Sequence, residues 1–155
     1  MKKIEITAYE LAGRFIGVKE TPGAVSNPAV LAMLRLDNAW PEGDDVAWCS
    51  AFVNYPCHLL RLPRSKNLAA RSWLQVGTPV TLLQAEAAFD VVILGRGARP
   101  HPGPEVIAAP GHVGFFSGLE ADRGRVLVLG GNQGDAVTIA GFPIADVLGV
   151  RRLFG

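Results

Sequence analysis

The spacing of apolar positions changes partway along the chain. Leu11, Phe15 and Val18, with Ala12 and Ile16, recur at helical spacing behind Thr7 and Glu10, which form a capping box. Thr21-Pro22-Gly23 closes that element, and Asn27 before Pro28 opens a second helix with Val30, Leu31, Met33 and Leu34 on its buried side. A polar turn spans 37–47, and a third helix is predicted from near Trp48 toward Leu60. Pro56 is expected to kink or shorten it, since proline removes an amide and clashes one turn back. Asn67 to Leu74 predicts a further short helix.

Beyond residue 90 the period drops to that of strands. Val91–Leu94, His112–Phe116, Val126–Leu129, Val137–Ala140 and Leu148–Val150 are short runs of β-formers between glycine and proline turns. Helices first and strands afterwards predict an α+β fold, with an antiparallel sheet carrying the helices on one side. No repeat or linker divides the 155 residues, so one domain over 1–155 is expected. The stretch from Gly95 to Gly111, rich in proline, is expected to be the least constrained.

Composition narrows the function classes. At 49% apolar and 19% charged, the chain can bury a core, and a net charge of +1 with scattered basic residues argues against nucleic acid as a partner. No apolar run approaches the ~20 residues of a membrane span, so no membrane insertion is expected. Glu5 and Glu10 interrupt the apolar region that a signal peptide needs after Lys2-Lys3, which predicts synthesis in the cytoplasm without one.

Cys49 and Cys57 lie eight residues apart, about 12 Å along a helix, too far for a disulfide. No spacing suggests zinc, so neither metal nor cofactor is expected. Cys49 opens the third helix, where backbone amides and the helix dipole favour the reactive thiolate. Cys57 lies inside it and lacks that advantage. Free cysteines are also commonly small buried hydrophobes, so position alone leaves both roles open. A cysteine nucleophile needs a base. His112, at a strand start among small residues, is the best placed. His58 sits in an apolar helix segment and His101 among prolines. Asn132, in Gly130-Gly131-Asn132-Gln133-Gly134-Asp135, stands where an amide can orient an imidazole, though asparagine and glycine are also ordinary turn residues.

Four segments in series carry a resemblance: Trp48-Cys49-Ser50-Ala51-Phe52-Val53-Asn54, Ala70-Arg71-Ser72-Trp73-Leu74, Gly111-His112-Val113-Gly114-Phe115 and Leu129-Gly130-Gly131-Asn132-Gln133. Together they resemble a phage and bacterial subgroup of CHAP-like peptidases, relatives of the NlpC-type cell-wall peptidases. Gly17-Val18-Lys19-Glu20 and Leu148-Gly149-Val150-Arg151-Arg152 extend it over nearly the whole chain. Tyr55-Pro56-Cys57 departs from the uninterrupted helix usual there, and Phe89-Asp90 from the usual Gly-Asp.

The resemblance implies a papain-like α+β fold and hydrolysis of peptidoglycan amide bonds, as an endopeptidase or an amidase. It assigns Cys49 as nucleophile, His112 as base and Asn132 as the orienting residue. Trp48, Trp73 and Gln133 are the substrate-binding candidates, although aromatic residues at such positions more often belong to the core. Glu42, Asp44 and Asp45 supply oxygen ligands of the kind calcium takes, but without the spacing of a known calcium loop. A wall substrate implies action in the periplasm or cell wall after delivery by a holin, a virion or a secretion system. Two alternatives stay open on sequence: a papain-like effector acting on a protein as a deamidase or transferase, and a non-enzymatic phage structural or wall-binding domain.

Overall fold

A computed structural model describes all residues except Ala24 and Gly155. Three helices, α1 (Ala8–Gly13), α2 (Pro28–Leu34) and α3 (Cys49–Leu59), precede a six-stranded sheet. Its strands are β1 (Thr78–Val80), β2 (Asp90–Gly95), β3 (Gly111–Glu120), β4 (Arg125–Gly130), β5 (Thr138–Pro143) and β6 (Val147–Arg152). The order across the sheet is β1-β6-β2-β3-β4-β5, and every pairing is antiparallel. The α+β arrangement expected from the change of period is therefore observed.

Local chemistry accounts for the helix starts. Thr7 caps α1 through the Glu10 amide while the Glu10 carboxylate accepts from the Thr7 amide, so the capping box is complete. The Asn27 side chain accepts from the Ala29 amide, with Pro28 in the first turn of α2. α1 is shorter than the apolar spacing suggested: it stops at Gly13, a run of turns follows to Gly17, and Ile16 is exposed. Pro56 does not end α3, which continues to Leu59. The segment after Asn67 forms a 3-10 helix at Ala70–Gln75, and β1 had no counterpart in the period analysis.

The sheet has two apolar faces. Val91, Ile93, Val113, Phe115 and Leu129 face the helices, while Val92, Leu94, Phe116, Val126, Val128 and Val150 form a second cluster on the other side. The unbroken run Val91–Leu94 is explained by this, because β2 is the strand buried on both faces. The three α-helices lie on one side, as expected from sequence, and the second face is covered by Leu82 and Ile144 from the connections and by Phe142 of β5. On the helix side, Phe52 of α3 stands edge-on to Phe115 of β3 with centroids 6.1 Å apart. The Arg152 guanidinium grips Asp90 through two bonds of 2.9 and 2.8 Å, locking β6 to β2.

The stretch from Gly95 to Gly111 is tied down rather than loosely held. Arg71, fully buried, donates to the carbonyls of Pro102, Gly103 and Pro110. Arg99 and His101 both bond Asp146, whose carboxyl is held down at about 2 by Arg99 first and His101 second. Proline and glycine content marked this segment as irregular, but its anchors come from distant parts of the chain. Among the described residues, no helix is long and apolar enough to cross a membrane.

Candidate active site

Cys49 is the first residue of α3. The residue before it, Trp48, has non-helical backbone angles and offers no side-chain cap, so the opening amides of the helix are not taken up by a capping group. The rest of the motif holds the helix in place. Ser50 donates to the Asn67 carbonyl and accepts from the Trp73 indole N–H at 2.9 Å. Asn54, one turn on, donates to the Ser50 carbonyl and accepts from the Lys66 amide at 3.1 Å. Buried polar groups require partners, and here each one anchors α3 to the segment that follows it.

β3 supplies the second half. Its pairing with β4 begins at Phe115, so His112 to Gly114 extend beyond β4. The Cys49 sulfur lies against the Val113 amide in this region. Gly130, the last residue of β4, and Gly131 lie beside this region. A Cβ on Gly131 would stand 2.6 Å from Phe52 and 2.7 Å from Trp48, and one on Gly130 would meet Gln133 and His112. Only glycine lets this backbone pass between α3 and the imidazole.

His112 Nε2 is 2.9 Å from the Gln133 side-chain oxygen. The amide orientation of Gln133 is determined by its other contacts. Its nitrogen reaches the carbonyls of Val128 at 3.2 Å and Thr138 at 2.9 Å, which only accept hydrogen bonds. The Gln133 oxygen is therefore the group facing His112, and the imidazole must carry its proton on Nε2. Nδ1 is left with the lone pair. The ring also lies against Phe142, centroids 5.1 Å apart.

The orienting contact thus comes from Gln133 and not from Asn132. Asn132 adopts φ 57, a left-handed conformation that asparagine tolerates better than most residues, and its side chain makes no hydrogen bond to a described residue. The turn it creates brings Gln133 under the imidazole. Trp48 and Trp73, expected to bind substrate, are instead fully buried, their indoles bonded to Glu20 and Ser50; aromatic bulk at these positions fills the core. Gln133 is likewise occupied by His112.

Burial dominates the ionisation of both groups. It pushes the Cys49 thiol above its ordinary value, outweighing the Val113 and Ser50 amides and the Arg96 charge that pull it down. The helix-start position was expected to yield a stabilised thiolate; its amides do act in that direction, but desolvation is larger in a thiol only 4% exposed. Burial also lowers the His112 pKa; the Gln133 bond opposes this and Arg96 adds to it. The resting pair is therefore a neutral thiol and a neutral imidazole. No hydrogen bond joins the two side chains in this arrangement; in resting enzymes such contacts often tighten only when substrate binds.

The other candidates fall away from this centre. Cys57 is fully buried and pushed up to about 12 by that burial. His58 is exposed at the end of α3, and His101 is engaged by Asp146. The Asp44 carboxylate accepts from the Asn27 and Thr21 amides, which lower its pKa, and so clasps the loop before α2. No group of three metal-ligating side chains occurs among the described residues, so Glu42, Asp44 and Asp45 do not assemble a calcium cage there. Sequence reasoning missed Arg96, whose charge reaches both Cys49 and His112. Nothing in its local sequence distinguishes it from other loop arginines.

No protein-family model and no curated protein matches the chain. Among solved structures it is similar to NlpC1 from Trichomonas vaginalis, with a TM-score of 0.54 and 14% identity over 96% of this chain. The match covers 43% of that protein, so the chain spans less than half its length. The architecture, helices followed by an antiparallel sheet with a cysteine opening the helix packed on it, is the NlpC-type, papain-like α+β fold.

Proposed function

We propose that the chain is a cysteine hydrolase that cleaves amide bonds of peptidoglycan, within the CHAP-like phage and bacterial subgroup that its four motif segments resemble. One observation carries the reading: Gln133 fixes His112 as the Nε2-protonated tautomer, leaving Nδ1 as the base for a cysteine at a helix start. A structural or wall-binding domain has no need of a tautomer held in this way. Substrate binding brings Cys49 and His112 into contact. His112 takes the thiol proton as sulfur attacks the amide carbonyl. The oxyanion meets amides at the uncapped start of α3, each such donor worth ~3 kcal/mol in a hydrolytic site. The imidazolium returns its proton to the departing amine, leaving a thioester. Water, deprotonated by His112, then releases a carboxylic acid and restores the thiol.

In this reading the protein serves phage lysis, reaching the periplasm or cell wall through a delivery partner such as a holin. The test is incubation of purified peptidoglycan with the protein, followed by mass spectrometry of released fragments. New amine and carboxyl termini that appear with the native chain and not with Cys49→Ala are expected, and their position distinguishes endopeptidase from amidase. Intact peptidoglycan in both reactions, from folded protein, overturns the wall substrate and leaves a protein-directed deamidase or transferase as the reading to pursue.

A further inference from the structure

Cys49 and His112 come from different layers of the fold, and a short segment ahead of both touches the surroundings of each. Residues 17–20 run antiparallel to 135–137: the Gly17 amide donates to the Val137 carbonyl, the Val137 amide to the Val18 carbonyl, and Lys19 bridges Ala136. The Glu20 amide closes this pairing on the Asp135 carbonyl at 2.9 Å. The paired residues complete the turn that carries Gln133, whose own amide donates to the Ala136 carbonyl at 3.0 Å. The Glu20 side chain reaches the nucleophile's side. Its Oε1 accepts from the indole N–H of Trp48 at 2.8 Å, and Trp48 is the residue before Cys49. The Trp48 ring also lies on Gly131, at the near end of the same turn, where a Cβ would stand 2.7 Å from it. The segment is itself fixed: the Asn27 side-chain nitrogen donates to the Lys19 carbonyl at 2.8 Å, and the Thr21 amide to the Asp44 carboxylate at 2.9 Å.

We propose that Glu20 is a positioning residue for Cys49 and His112, setting the start of α3 against the turn that orients the imidazole. The proposal rests on the reading of these two as a hydrolytic pair. No hydrogen bond joins them at rest, so their approach depends on how each is held by its neighbours. Glu20 bonds both halves, the turn through its backbone and Trp48 through its carboxylate. Trp48 is fully buried, so its N–H requires an acceptor, and Glu20 supplies it. Freed from that bond, the indole can shift and carry the first residue of α3 with it, drawing the Cys49 sulfur off the Val113 amide. A misplacement of ~1 Å in a reacting group costs about 10²-fold in rate. Any residue at position 20 other than proline keeps the backbone bond to Asp135, so a side-chain substitution severs the Trp48 connection and leaves the turn held.

The test compares Glu20→Ala, Glu20→Gln and Trp48→Phe with the native chain and with Cys49→Ala, through two readouts. The first needs no substrate: the NMR shift of the Val113 amide, which reports the sulfur lying against it. The second is kcat and KM on purified peptidoglycan, well below the melting temperature of every variant. Glu20→Ala should move the Val113 signal toward its position in Cys49→Ala and lower kcat at least about ten-fold, with KM little changed. Glu20→Gln still offers an oxygen to the indole and should keep the native signal and most of the rate. Trp48→Phe cuts the same bond from the other side and should match Glu20→Ala. Combining the two should cost nothing further, as expected of residues that share one interaction. A native signal or an undiminished kcat in folded Glu20→Ala overturns the proposal. So does a Glu20→Gln as impaired as Glu20→Ala, or a pair of losses that multiply in the double variant. If Glu20→Ala does not fold, Trp48→Phe decides by the same criteria. A displaced Val113 signal, in a protein whose native chain cleaves no peptidoglycan, would leave the hold of Glu20 on Cys49 standing and overturn the hydrolase reading. Cleavage by the native chain, with the signal unmoved in both variants, would do the reverse.

Discussion

The two ends of α3 each carry a cysteine, and the sulfurs are almost equally hidden: Cys49 is 4% exposed and Cys57 is 0%. Exposure therefore does not tell them apart. What differs is the polar surrounding. The Cys49 sulfur meets the Val113 amide, the Ser50 amide of its own helix start and the field of Arg96. Around Cys57 only the charge of Arg64 opposes desolvation. A helix start leaves donors unpaired, whereas the helix interior has spent them on its own carbonyls. One element thus holds a thiol met by amide donors at its start and, inside its last turns, a thiol without them.

The largest expected effect breaks the comparison directly. Cys49→Ala should lower hydrolysis by at least ~10³-fold, the scale of removing a nucleophile. Cys57→Ala should keep most activity and lose about 1 kcal/mol of stability to the small cavity left by sulfur. Wall-degradation rates beside urea melts of the two variants check this; an inactive Cys57→Ala beside an active Cys49→Ala would invert the assignment.

A smaller effect sharpens the account of the His112 side. Gln133→Ala removes the group that fixes the imidazole tautomer and should lower kcat by roughly 10²-fold or more. It also removes a donor from the buried Val128 carbonyl, at ~1–3 kcal/mol, and from the partly buried Thr138 carbonyl. Asn132→Ala should cost only about 1 kcal/mol of stability, from its left-handed backbone, and Asn132→Gly should recover it. Kinetics on these three variants compare the two neighbouring amides. A loss of activity in Asn132→Gly larger than in Gln133→Ala would return the orienting role to Asn132.

The smallest effect is a pH dependence. The His112 pKa is depressed in the folded protein, so its contribution to stability is fully present above the unfolded value of ~6.5 and is lost as pH falls from there toward the folded value. Denaturation midpoints should decline below that pH, and less steeply in His112→Phe. The thiol moves the other way. Iodoacetamide labelling of Cys49 in the resting protein should keep accelerating with pH beyond the ordinary cysteine value, because burial holds its pKa up. A labelling rate already at its plateau by pH 8 would show a thiolate stabilised more strongly than burial permits.

Much of this molecule follows from local chemistry that a sequence displays. The capping box at Thr7, the Asn27-Pro28 start, the opening of α3 at Cys49 and five of the six strands depend on interactions within a few residues. So does the place of His112 at the start of β3. Only the tertiary structure decided which amide faces that imidazole, because the turn at Asn132 breaks strand alternation and no spacing rule carries across a left-handed residue. It also decided that Trp48 and Trp73 fill the core and that Arg71 ties down the loop after β2. Each of these depends on which distant segments meet. The same holds for the ionisation of Cys49: its helix-start amides are legible in sequence, but the burial that outweighs them comes from the strand and loops packed over the thiol.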